Sequence, residues 1–121
     1  MYRNIRKYDI RYTDVDFKDD IKLSSLMSVL EESACISADE LGFGYADIAP
    51  RGIGFILANW YIKLARPIKL GEQLTVHTWP MKPKNTIFLR EFEVYSGEEK
   101  VCVASTRWCM VDLKTFAVLP T

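Results

Sequence analysis

Histidine is almost missing from this chain, cysteine is sparse, and neither sign of charge is in excess. The single histidine, His77, and three cysteines (Cys35, Cys102 and Cys109) without CxxC spacing are too few for an ordinary zinc site. An odd number of scattered cysteines reads as reduced, mostly buried thiols, as in a cytoplasmic protein. Lysine plus arginine number 16 and aspartate plus glutamate number 16, which argues against a general nucleic-acid binder. The N-terminus, MYRNIRKYDIRY, lacks the apolar stretch of a signal peptide. No run approaches the roughly 18 apolar residues of a membrane span. The expected location is cytoplasmic, and nothing calls for a cofactor or a metal. At 121 residues, 49% of them apolar, the chain is expected to form one domain over residues 1–121.

What is present is periodicity. Tyr8, Ile10 and Tyr12 alternate with Lys7, Asp9 and Arg11, the pattern of a half-buried strand. From Leu23 to Leu41 the period lengthens, and Leu26, Met27, Leu30, Ala34, Ala38 and Leu41 form one helical stripe. Ser24 is the expected N-cap and Gly42 the expected stop. Ser33, Ala34, Ser37 and Ala38 keep the second half slim enough to lie close on a sheet. After the turn-rich GFGYADIAPRGIG, alternation returns four times: Ile56–Leu64, QLTVHTW, IFLREFEVY and VCVASTRWCMVDL. The last run is apolar on both faces, as a central strand should be. Short connections imply antiparallel neighbours. One helix and five strands make an α+β two-layer domain. A single helix covers one sheet face, so further burial against a second copy or a second domain is expected.

Three stretches carry a family resemblance: YTDVDFKDDIKLSSLMSVLEESACISADELGFG, RGIGFILANWYIKLARPIKLGEQLTVHTWP and STRWCMVDLKT. Together they resemble the first of the two hotdog domains of acyl-ACP thioesterases. The most specific piece is GEQLTVHTWP. The resemblance implies a hotdog fold, a long helix wrapped by a curled antiparallel sheet. It also implies hydrolysis of fatty acyl thioesters on acyl carrier protein, releasing free fatty acid in fatty acid biosynthesis. An acidic carrier is the implied partner, together with a paired second hotdog domain or a second copy. MKPKN with Arg66 and Lys69 is a small basic group that can steer such a carrier or simply be solvated.

YTDVDFKDD packs Asp14, Asp16, Asp19 and Asp20 into a short span before the helix. Counted as a calcium loop from Asp14, positions five, six and twelve are Lys18, Asp19 and Ser25, which do not fit. Single-domain hotdog thioesterases carry Tyr-x-Asp-x-Asp here, and by that match Asp16 is the candidate general base or nucleophile. The second domain of acyl-ACP thioesterases reads Asp-x-Asn-x-His, and laid on this chain only Asp16 survives, with Lys18 and Asp20 in the other places. A carboxylate about 4 Å from a developing oxyanion costs on the order of 4 kcal/mol at an effective dielectric of about 20, roughly a thousandfold in rate. Carboxylates at a helix N-terminus are stabilising, so Asp19 and Asp20 are expected to be structural.

The resemblance further implies an acyl-chain wall, for which Leu26, Met27, Leu30, Trp60 and Ile62 are candidates, with core packing as the default. Trp79 and Trp108 read as core or interface anchors. His77 reads as a packed strand residue, and Glu31 and Glu32 as solvated unless one faces inward. The expected protein is thus the acyl-pocket domain with a degenerate catalytic motif, and the stop at AVLPT fits a truncated two-domain chain. Two rivals stand beside it: a self-sufficient homodimeric acyl-CoA thioesterase using Asp16, and a non-catalytic acyl-thioester binding module.

Overall fold

The computed structural model describes residues 1–121. The alternating stretches become β1 (Asn4–Asp9), β2 (Ile53–Leu64), β3 (Gln73–Pro80), β4 (Ile87–Ser96) and β5 (Glu99–Asp112). The long period becomes α1 (Leu23–Glu40), and a short α2 (Tyr45–Ile48) follows it. The strands form one antiparallel sheet in the order β1-β3-β4-β5-β2. Leu26, Leu30 and Ala34 of α1 pack on Leu74, Val76, Phe92, Val94 and Ala104 of the sheet. This is the expected α+β hotdog architecture. No helix is long and apolar enough to cross a membrane.

Gly42 stops α1 as expected. At φ 85° it lets the Gly42 N–H reach the Asp39 carbonyl and the Phe43 N–H reach the Ala38 carbonyl, a Schellman ending. The helix start differs from expectation, for the N-cap is Lys22 rather than Ser24, without a side-chain cap. The buried stripe differs too. Ser33 and Ser37 are fully buried while Leu41 is exposed. Burying these hydroxyls is tolerable because each has a partner, Tyr8 Oη 2.8 Å from Ser33 Oγ and Tyr2 Oη 2.8 Å from Ser37 Oγ. β5 is central, lying between β4 and β2.

Two further expectations are corrected. β2 and β3 are not neighbours, for β2 pairs with β5 at the far edge. The connection between them is long enough to cross the sheet, and the doubly apolar β5 takes the interior place beside β2. The face of β2 also changes partway. Leu57 pairs with Trp108 but Asn59 pairs with Arg107, so Ala58 is an extra residue, a β-bulge. Beyond it Trp60 and Ile62 pack toward the core, while before it Phe55 faces the helix side and Ile56 is exposed. Ile56 therefore does not share a face with Trp60.

Candidate functional site

The four clustered carboxylates do four different things. Asp14 is buried and accepts the Arg11 backbone N–H at 2.8 Å and the Arg11 guanidinium through two bonds of 3.2 Å. Hydrogen bonding to Arg11 holds its carboxyl below the usual range against the cost of burial. Asp16 is exposed, and its Oδ1 accepts the backbone N–H groups of Lys18 at 2.8 Å and Asp20 at 3.1 Å. Asp19 turns the chain at φ 62°, a left-handed conformation that aspartate tolerates better than most side chains. Asp20 forms an ion pair with Lys69, whose pKa that bond raises. No carboxylate occupies the first turn of α1. Asp19 and Asp20 are thus structural, but as a turn and an ion pair rather than as helix-end charges. Asp16 lies in an open cleft with Asp20, Ile21, Leu64, Ala65 and Pro67, beside the end of β2.

A more enclosed space opens at the other end of β2. A cavity of about 360 Å³ lies between the second half of α1, α2 and the starts of β2 and β4. Its wall is aromatic: Phe55 meets Phe43 edge-on with ring centroids 6.3 Å apart, and Phe88 with centroids 5.1 Å apart. Tyr45, Met81, Ile48 and Trp108 complete the apolar lining. Gly44 is needed where α1 and α2 meet, because a Cβ there would fall 3.0 Å from the Asp39 Cα and closer still to its carboxylate. The volume is in the range of small-molecule pockets.

One wall residue breaks the apolar pattern. Arg90 is 5% exposed, yet it has no carboxylate in salt-bridge range. Its Nη1 donates to Ser37 Oγ at 2.9 Å and Thr78 Oγ1 at 3.3 Å. Burial pushes its pKa down, and withdrawing a lone cation from water costs several kcal/mol. Glu31 and Asp39 also line the cavity but are exposed at its rim, while Glu32 points to solvent. Cys35 is exposed on the same helix face, contrary to the expectation of buried thiols. Partial desolvation against the cavity wall, and then Glu31, Glu32 and Asp39, push its thiol up, away from nucleophile chemistry. Cys102 is buried and pushed up to about 11 by desolvation.

The remaining candidates are dispersed. Leu26 and Leu30 are sealed in the core, Trp60 and Ile62 pack against it, and Met27 is half-buried; none of the five lines the cavity. His77 packs on Tyr95 with centroids 4.9 Å apart, its Nδ1 3.1 Å from Arg3 Nη1, and burial followed by Arg3 lowers its pKa. The basic group is split, since Arg66 and Lys69 precede β3 while Lys82 and Lys84 follow it. Arg66 is engaged by Glu72 and Glu99, and Lys69 by Asp20. Arg90, Phe43, Phe55 and Phe88 line the cavity instead. For Arg90 a signal existed, because IFLREFEVY sets it in phase with the buried Phe92 and Val94.

Beyond the fold, the sequence itself is matched by a known family. The profile of the acyl-ACP thioesterase N-terminal domain matches residues 2–119. The chain belongs to the acyl-ACP thioesterase family. Individual relatives are distant. YneP of Bacillus subtilis, a proposed acyl-CoA thioesterase, is 23% identical over 118 residues, covering 96% of this chain and 85% of YneP. An acyl-ACP thioesterase from Bacteroides thetaiotaomicron superposes with a TM-score of 0.91 at 23% identity, over 96% of this chain and 48% of that one. A DHNA-CoA thioesterase from Staphylococcus aureus gives 0.89 at 22% identity, over 99% of this chain and 81% of that one. The chain thus spans about half of the Bacteroides acyl-ACP thioesterase but most of YneP. By family it is a thioester hydrolase domain, and the cavity and the Asp16 loop are the two places where that chemistry can be sought.

Proposed function

We propose that this chain is the acyl-pocket domain of an enzyme that hydrolyses fatty acyl-ACP thioesters in fatty acid biosynthesis, its cavity holding the acyl chain. The observation that carries the reading is the layout of β2. The cavity adjoins its start at Gly54 and Phe55, and the Asp16 cleft adjoins its end at Leu64. A twelve-residue strand separates them by roughly 35 Å, too far to cooperate within one domain. β2 is also an edge strand with one charged residue, Lys63, whereas the other edge, β1, carries Arg6, Lys7 and Asp9. Charged edges resist pairing and apolar ones invite it. Antiparallel pairing of β2 with a second hotdog unit would bring the cavity of one to the pre-helix loop of the other. Ala58, in the bulge, sits near the middle of that seam.

In this reading the second unit supplies the residues that activate water. Asp16 supports the domain's own loop, its Oδ1 already committed to two backbone donors, and Lys18 and Asp20 stand where the hydrolytic motif has asparagine and histidine. One observation favours a second reading: the chain covers 85% of YneP. A homodimer of this domain with Asp16 as base or nucleophile, acting on acyl-CoA, would be built on the same seam. Turnover of acyl-ACP and acyl-CoA by the 121-residue chain and by Asp16→Asn separates the two. The proposed reading expects little turnover from either protein. Appreciable activity that disappears in Asp16→Asn would overturn it in favour of the homodimer.

A further inference from the structure

We propose that Arg90 receives a carboxylate at the far end of the acyl group, so that the cavity takes carboxylate-tipped acyl thioesters in preference to plain alkyl ones. The inference rests on the cavity being the acyl pocket and adds the chemistry of what enters it. Arg90 uses only Nη1 within the protein, on Ser37 and Thr78. The opposite edge, formed by Nε and Nη2, has no protein acceptor. That edge is not sealed off, since Asn4 Oδ1 is the sole enclosed side-chain polar atom without a partner. Arg90 is among the residues that line the cavity.

The Nε–Nη2 edge is the one that grips a carboxylate side-on. Arg66 does so in this same molecule, giving Glu99 two bonds of 3.1 and 3.2 Å. Arg90 offers the same fork with no acid on it. An apolar residue in phase with Phe92 and Val94 would have completed the wall without the cost of a buried charge. Orientation follows from depth. Arg90 is nearly enclosed, whereas Glu31 and Asp39 are exposed at the rim. A thioester tied to its carrier must stay at the rim, so the group that reaches Arg90 is the remote end of the chain. The volume is more than twice the roughly 150 Å³ of a cavity that accepts benzene, room for an acyl chain longer than a six-carbon ring.

The test titrates the full chain with two non-hydrolysable pantetheine thioethers of equal length, one ending in methyl and one in carboxylate. Tryptophan emission reports occupancy, because Trp108 lines the cavity. The carboxylate-ended ligand should bind at least about tenfold tighter. Arg90→Met should lose that preference while still binding the methyl-ended ligand. Equal binding of the two, or a preference that persists in Arg90→Met, overturns the inference and leaves Arg90 as a strut between helix and sheet. Saturable binding of the methyl-ended ligand would in that case keep the acyl-pocket reading intact, whereas binding of neither would end both. Should Arg90→Met fail to fold, the wild-type comparison decides alone.

Discussion

Glu72 ties the loop before β3 to the rest of the sheet. It accepts Arg66 Nη2 at 2.6 Å, the Lys69 backbone N–H, and Ser96 Oγ at 2.7 Å. Arg66 above all holds its carboxyl at about 2, against 4.5 for a free glutamate. Glu93 also lies at about 2; burial pulls it upward, and hydrogen bonds from Tyr95, Arg3 and Lys100 outweigh that. A carboxyl depressed on folding stabilises the fold fully above its unfolded pKa and loses that contribution as pH falls toward its folded value. Stability should therefore decline between about pH 4.5 and 2. Glu72→Gln should lower the unfolding free energy near neutrality by roughly 1 kcal/mol after solvent screening. Urea titrations across that range should find the gap between variant and parent closing toward pH 2. Asp16→Asn is expected to shift stability by less than about 0.5 kcal/mol, since an amide oxygen still accepts the two backbone N–H groups. Thermal melts of both proteins check this, and a small shift makes the variant a clean probe of catalysis.

At the scale of elements, local patterns were legible and long-range partners were not. The helix end at Gly42 is written in one residue type, and the strands in their alternation. The bulge at Ala58 is hidden because β2 is apolar on both sides of it, so one inserted residue leaves no break in the pattern. Buried Ser37 finds its partners in Tyr2 and Arg90, 35 and 53 residues away, and no helical period contains that information. The site was half legible for the same reason. The Asp16 loop is marked by a motif, whereas the cavity is assembled from Phe43, Phe55, Phe88 and Trp108, which meet only in the fold. Leu30→Ala, at a fully buried position, should cost about 2–5 kcal/mol. Gly42→Ala, at φ 85°, should cost about 1 kcal/mol. Denaturant midpoints with unchanged slopes would bear both out, and a neutral Gly42→Ala would argue against the Schellman ending.

For the whole molecule, the proposed pairing rests on the open edge of β2. Ile56 and Tyr61 are 48% and 56% exposed on that strand, large apolar groups beside open backbone donors and acceptors. The chain should sediment as a dimer, and Ile56→Lys with Tyr61→Lys should sediment as a monomer, because pairing the strand with its own copy gathers like charges at the seam. A monomeric parent would remove the geometric basis for joining the cavity to a second pre-helix loop. The central claim, that the cavity holds the acyl chain, is tested most directly by photolabelling. A pantetheine thioether with a diazirine at the tip of its acyl chain is irradiated with the protein, and the labelled peptides are sequenced by mass spectrometry. Label on Phe55, Met81, Phe88 or Trp108 is the predicted result. Label confined to Leu26, Met27, Leu30, Trp60 or Ile62, or scattered over the surface, would contradict it.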